Sequence, residues 1–444
     1  MLYALCYNGR NAGCARYFCG AAKGMGFFMG GESLGNSSWR DRNFILFTIT
    51  VFASFAILGI ADNIRGTALP RIQEEFLLSE MHLGLLLAVN ASGYLAACTF
   101  TAALARKIGM KACHVLGMSV IASSGLLIAF TPSFGVLLPS FFILNAGFGM
   151  MDISVGVIAA RIFTRRTGTM MNLAHFFYGA GAVFSPIIST GIMAARFGEQ
   201  LLGWRNAYLI ILSFALLPVI PAVLGRLKKP EHDEKKTGYP ALLRKPAIWL
   251  LTLILALGLA GEIGSAAWLV NFLETAYLFS SERAAMYLTL YFVCFTLGRL
   301  VLGPLIDKIG FINSLAISMA LSGAFISAGV LLGEAGSPLL FIAGVAISPL
   351  FPTVMAVIAK LFADVVDLAM TAILTAIGVV LVPLNFLIGG IINEARLIFT
   401  DAYGDAGVRM AYQAGYLFVG LCCFGAFASA LILRAKQKKA GMLV

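Results

Sequence analysis

SFFILNAGFGMMDISVGVIAA (140–160) is the stretch whose reading decides the fold. One charge, Asp152, interrupts a run that is otherwise apolar on every side. At about 1.5 Å of rise per residue, a helix of this length crosses the roughly 30 Å hydrocarbon layer of a bilayer. A transmembrane barrel strand would instead alternate in character over about ten residues. Neither this run nor ALLPVIPAVLG (215–225) does so. Both read as helices solvated by lipid.

The rest of the 444-residue chain agrees. Hydrophobic residues make up 60% and charged residues 12%, against about half and about a quarter in soluble domains. The mean hydropathy is +0.90. A water-soluble fold of this size would lack the polar surface to stay dissolved. Twelve such spans are expected, near 43–65, 81–103, 112–131, 134–160, 168–194, 206–225, 247–273, 284–306, 312–333, 338–359, 368–393 and 411–433. With both termini on the cytoplasmic side, the inner segments carry 24 of the 32 Lys and Arg residues, as the positive-inside rule requires. The net charge of +11 then reports topology and contact with lipid headgroups, not nucleic-acid binding.

Between spans six and seven, RLKKPEHDEKKTGYPALLRKP (226–246) mixes both charge signs with three prolines. It reads as a cytoplasmic linker between an N-terminal bundle (43–225) and a C-terminal bundle (247–433), with a cytoplasmic tail at 434–444. Residues 1–42 lack the ordered features of a signal peptide and are expected to be a disordered cytoplasmic leader outside the fold. Cys98, Cys294, Cys422 and Cys423 sit within spans without metal-ligand spacing, and read as small buried apolar residues. No metal site or disulfide framework is expected.

The halves repeat one another. ALARKIG (103–109) lies over PLIDKIG (304–310), each after the second span of its half. AARIF (159–163) lies over IAKLF (358–362), and Gly181 and Pro186 lie over Gly378 and Pro383. Three matches in one order at near-constant spacing imply a six-plus-six duplication, a common origin of transporter folds.

GRLVLGPLIDKIG (298–310) resembles the cytoplasmic signature of the major facilitator superfamily, with Gly303 for close helix packing and Asp307, Lys308 and Gly310 in the loop. In the first half Arg106 stands where the acid would be, followed by Lys107 and Gly109. That departure is similar to the fucose permease-like sugar-proton symporters, as are ARKIGMK (105–111), NLAHFFYGAGAVFSP (172–186), AGEIGSAAW (260–268), GWRNAYL (203–209), LFPTV (350–354) and GFGMMD (147–152). Gly156 replaces an Asn common in that branch. The resemblance covers roughly residues 43–433. It implies an all-α membrane protein of twelve transmembrane helices in two pseudo-symmetric six-helix bundles, the major facilitator fold, and an acid in spans one and four. Arg106, Lys107, Gly109, Arg299, Gly303, Asp307, Lys308 and Gly310 become candidates for a conformational gate. Arg299, near the cytoplasmic end of span eight, is expected to snorkel or to brace the bundle.

An ionisable group inside a span is costly unless it faces a cavity or a partner. Asp62, Asp152 and Glu262 are therefore the candidates for proton coupling, since burial disfavours the charged form of a carboxylate and lets it alternate with water access. Asp62 can equally be an interfacial residue paired with Arg65. Asn145, seven residues before Asp152, shares its helix face. Asn172, His175 and Gly179 share a face of span five, with Tyr178 beside them. Trp268 and Asn271 follow Glu262, and Asn90 and Asn385 lie in spans two and eleven. These neutral donors, acceptors and rings suit a sugar, although asparagines also join membrane helices and a Trp can simply pack.

No GxxxxGK[ST] loop or HExxH motif is present, so neither ATP-driven transport nor enzymatic chemistry is expected, and no cofactor. The expectation is a monomeric secondary active transporter in a bacterial inner membrane. It moves a small polar solute, a sugar or polyol, by alternating access with proton symport. The rival on the same fold is a drug or metabolite exporter working by proton antiport. A membrane-embedded enzyme lacks a nucleophile-base pair, and a receptor would carry larger loops.

Overall fold

Proline and charge explain where the helices bend and where they leave the membrane. The computed structural model describes residues 38–78, 80–227 and 239–439. The expected leader to residue 37, linker residues 228–238 and tail residues 440–444 lie outside the described residues. Among the described residues, twelve helical spans are long and apolar enough to cross a membrane. The first five are single helices: α1 (Ser38–Phe76), α2 (Glu80–Ile108), α3 (Met110–Ala129), α4 (Phe134–Ile162) and α5 (Thr167–Ala194). A two-residue antiparallel hairpin follows, β1 (Arg196–Phe197) with β2 (Gln200–Leu201).

Span six is not one helix. It runs as α6 (Gly203–Ser213), a tight 3-10 turn at Phe214–Leu216, and α7 (Val219–Leu224). Pro218 and Pro221 withhold the backbone N–H groups that a continuous helix would need. After the short α8 (Tyr239–Leu243), the second half continues with α9 (Pro246–Tyr277), α10 (Ser281–Ile309) and α11 (Phe311–Leu331). Span ten is split at Ser348–Pro349 into α12 (Pro338–Ile347) and α13 (Leu350–Leu361), before α14 (Val366–Tyr403) and α15 (Asp405–Lys439).

The expected spans lie in the expected order, but α1 and α14 run about ten residues further. Arg65, Arg71 and Glu74 in α1, and Glu394 and Arg396 in α14, mark where the chain leaves lipid. A helix need not stop there, because its backbone hydrogen bonds are internal. The duplication is visible in the backbone. Gly109 opens α3 at φ 87° and ψ 151°, and Gly310 opens α11 at φ 91° and ψ 146°. Positive φ of this kind is open to glycine and strained for other residues.

The described residues from Phe44 onward form one compact unit. Within the first half α4 packs on α2 and α3, and α6 on α3; within the second, α15 packs on α9, α11 and α14, and α12 on α10. The halves meet where α5 lies on α10 and α2 on α14, with α13 against α4 and α5. Small residues allow the close approaches. A Cβ on Gly59 of α1 would strike the Tyr178 carbonyl of α5, and one on Gly181 of α5 would strike the Ala56 carbonyl. The first half also holds a fully buried polar rivet: His114 of α3 contacts Ser54 of α1 (3.1 Å) through Nε2 and Ser154 of α4 (3.3 Å) through Nδ1.

Candidate transport site and the seam between the halves

The antiparallel pair α5 and α10 forms a ladder of small and polar contacts. Asp307, at the end of α10, accepts hydrogen bonds from the backbone N–H of Gly168 (2.7 Å) and Thr169 (2.8 Å) and from the Thr169 hydroxyl (2.6 Å). It thereby caps the start of α5, where free N–H groups and the helix dipole favour an anion. One turn back, a Cβ on Gly303 would lie 3.0 Å from the Thr169 Cα and 3.3 Å from the Asn172 Cβ. Next comes Arg299, 4% exposed, whose Nη1 donates to the His175 carbonyl and Nε to the Ser348 carbonyl, both at 3.1 Å. Its guanidinium lies 4.2 Å from the Phe295 ring centre. The ladder ends where a Cβ on Gly179 would meet the Thr296 hydroxyl at 2.8 Å. Arg299 therefore does not snorkel to either face; it is turned into the protein and ties α10 to α5 and to the α12–α13 break.

At the end of the bundle where the basic residues gather, two further contacts cross between the halves in reciprocal fashion. Arg161, closing α4, reaches both carboxylate oxygens of Asp367 in the first turn of α14, at 2.8 and 2.9 Å. Lys360, its repeat partner closing α13, donates to the Thr164 carbonyl ahead of α5 at 3.3 Å. The second half caps α5 with Asp307. In the first half, Arg106 of α2 is exposed, as are Lys107 and Gly109, and α14 carries its own acid instead. Lys308 is exposed and Gly310 half-buried.

Above this closed end lies a cavity between the halves. Phe55, Asp152 and His175 line it from α1, α4 and α5, and Phe351, Met355 and Met370 from α13 and α14. Its volume is about 10 Å³, room for about one water molecule. Asp152 is held by one side-chain hydrogen bond, donated by the Tyr94 hydroxyl of α2 at 2.6 Å. His175 lies between the rings of Phe55 (centroids 4.5 Å apart) and Phe351 (5.3 Å). Its Nδ1 donates to the Met171 carbonyl at 3.0 Å, while its buried Nε2 has no partner. In this tautomer Nε2 is an acceptor.

The other candidates fall into three groups. Asp62 accepts from Arg65 (2.6 Å) on one oxygen and from the Tyr178 hydroxyl (3.1 Å) on the other, so it pairs with Arg65 and also lies against α5. Asn145 is buried and donates to the Phe141 carbonyl at 3.0 Å; Asn172 is fully buried and donates to Gly168, leaving Oδ1 unpartnered. Both amide atoms of buried Asn90, one turn from Tyr94 on α2, are likewise unpartnered. Glu262 is partly buried, its Oε2 unpartnered, with its backbone carbonyl accepting from Tyr291 at 3.2 Å. Trp268 is half-buried and lies beside Gly389 of α14. Asn271 is exposed. Nine residues beyond Glu262, at about 100° per residue, it points to the opposite face of α9. The side chain of Asn385 lies outside the described residues.

Sequence reasoning missed Tyr94, Phe55 and the Arg161–Asp367 pair. The pair joins residues 206 positions apart; the only sequence trace is that Arg161 and Lys360 are repeat equivalents.

Twelve apolar spans among the described residues, in two halves that meet along a closed polar seam with partly buried acids beside it, define a membrane transporter. The chain belongs to the Major Facilitator Superfamily, whose sequence profile matches residues 51–278. It is 25% identical over 375 residues to Bypass of stop codon protein 6 of Saccharomyces cerevisiae, covering 74% of this chain and 73% of that protein. It is 24% identical over 424 residues to the L-fucose-proton symporter of Escherichia coli, covering 85% and 94%. Among solved structures, the fold is similar to the crystal structure of the major facilitator transporter FucP in the outward conformation, with TM-score 0.71 and 21% identity over 88% of this chain and 99% of that one. It is also similar to the proton:xylose symporter XylE bound to 6-bromo-6-deoxy-D-glucose, with TM-score 0.68 and 12% identity over 86% and 95%. At these identities the structures report a shared fold.

Proposed function

We propose that the protein is a secondary active symporter that carries a small polar solute, a sugar or polyol, together with a proton. The observation that carries this reading is the cavity that brings Asp152 and His175 together between the halves, with the His175 Nε2 acceptor unspent. A solute hydroxyl can donate to that nitrogen, and the flanking Phe55 and Phe351 rings offer apolar faces for stacking. The likeness to the L-fucose-proton symporter supports both the solute class and the coupling.

Asp152 is the carboxylate on which coupling turns in this reading. Protonated, it is neutral, so the loaded halves can close over it without burying a charge. Deprotonated, it calls for water or a cation, which reopens the site. Asp62 and Glu262 are further proton-carrying candidates, and Asn90, Asn145, Asn172, Tyr178 and Trp268 remain candidate solute contacts. With room for about one water, the cavity must widen by parting of the halves before a sugar enters, which is the motion alternating access requires. The basic end is taken as cytoplasmic from its charge.

The Phe and Met lining also suits a larger apolar solute, so proton-driven export is the second reading. The test is uptake into proteoliposomes across sugars, organic acids and drugs, with and without an imposed pH gradient. Wild type is expected to concentrate a sugar only with the gradient. Asp152→Asn is expected to exchange that sugar but not to concentrate it. Gradient-driven accumulation by Asp152→Asn would sink the assignment of the proton to this residue, and gradient-driven efflux of a drug would favour the exporter.

A further inference from the structure

We propose that the groove between α9 and α15 at the basic end is a binding site for a phospholipid with an anionic headgroup. The groove has a volume of about 450 Å³ and lies apart from the transport site. Its floor is made where the short α8 docks: Leu242 is fully buried, and the Trp249 indole N–H donates to the Leu243 carbonyl at 2.7 Å. Its walls are Trp249, Leu250 and Leu253 of α9 and Ile432 of α15, and its rim holds Arg244 and Lys436.

The polarity of the groove runs in one direction. Leu253 lies one turn deeper than Leu250, and Ile432 lies one turn deeper than Lys436, so the apolar walls extend into the membrane and both cations sit at its surface. A ligand that matches must have an apolar body and a negative head. Trp249, 53% exposed, stands at the depth where indole rings favour the interface. Arg244 and Lys436 are both exposed and make no ion pair or hydrogen bond among the described residues. The described residues next to the two rim cations along the chain add positive charge. Lys245 adjoins Arg244, while Arg434, Lys438 and Lys439 accompany Lys436, and no acid follows Asp405 in the chain. Zwitterionic lipid brings its own headgroup cation against the two rim cations and no net counter-charge, whereas a phosphodiester headgroup without a cation supplies one between them.

The test is native mass spectrometry of the full chain in detergent, titrated with phosphatidylglycerol or with phosphatidylcholine of the same acyl chains. Wild type is expected to retain phosphatidylglycerol in preference to phosphatidylcholine. From about 1 kcal/mol per basic side chain, about five-fold each, Arg244→Gln with Lys436→Gln is expected to weaken that retention roughly 25-fold. Arg434→Gln with Lys438→Gln, which changes the same charge on α15 outside the groove, is expected to leave retention within about two-fold. Thermal midpoints of all variants in detergent verify that each is folded. Equal retention by wild type and the groove variant would overturn the proposal. So would equal loss in the control variant, which would mean diffuse attraction, or displacement of the lipid by millimolar inorganic phosphate, which would mean a site for the free anion.

Discussion

Asp307→Asn tests whether the α5–α10 seam holds the basic end shut. The half-buried carboxylate accepts three hydrogen bonds from Gly168 and Thr169, all between 2.6 and 2.8 Å. Asparagine has nearly the same shape but keeps one acceptor oxygen, turns an NH2 toward the other donors, and removes the charge at the α5 terminus. A charge at a partly buried helix end contributes up to ~2 kcal/mol, and charge-assisted hydrogen bonds are roughly twice as strong as neutral ones. The closed arrangement should therefore lose about 2 kcal/mol, close to a 30-fold shift. If about one molecule in a hundred is open at this end in wild type, a minor population of ordinary size, about a quarter would be open in the variant. Spin labels at Ile108→Cys on α2 and Asp364→Cys ahead of α14, exposed positions in opposite halves, read this by pulsed electron double resonance. A second, longer distance component is expected in the variant. An unchanged distance distribution in a variant that remains folded would refute the claim that this cap holds the halves together.

Gly303→Val should give the same longer component, because a Cβ there already lies 3.0 Å from the Thr169 Cα and two further methyl groups must push α5 away. The same labels check it. His114→Phe should leave the Ser54 hydroxyl buried without this partner, at about 1–3 kcal/mol where no new partner is found, while Ser154 keeps its hydrogen bond to the Met151 carbonyl at 2.9 Å. The thermal midpoint in detergent should fall by several degrees with the label distances unchanged.

Much of the fold was legible because lipid imposes a simple rule: apolar length and the sidedness of Lys and Arg give the number and order of spans. What composition could not show was local. Prolines cut spans six and ten, and α1 and α14 continue as helix after their apolar runs end, since hydropathy reports the exit from lipid and not the end of hydrogen bonding. The site was partly legible for a related reason. Asp152 stood out because a charge in such a helix is conspicuous, whereas Tyr94, which holds it, looks in sequence like any large residue of an apolar helix. Asn271 is near Glu262 along the chain, yet helical phase sets the two on opposite faces of α9. Asp367 lay where a membrane-surface charge is ordinary, and only its approach to Arg161 gives it meaning.

The register of α5 on α10 has a kinetic consequence. Its four rungs, at Asp307, Gly303, Arg299 and Thr296, are three or four residues apart, so a sliding motion would break them all at once and face a single tall barrier. Peeling from the Asp307 end releases them one at a time, with Arg299 and its two carbonyls as the third to go. Opening should therefore behave like a zipper with a stiff tooth at mid-depth, pausing with the basic end splayed while Arg299 still grips the chain at His175.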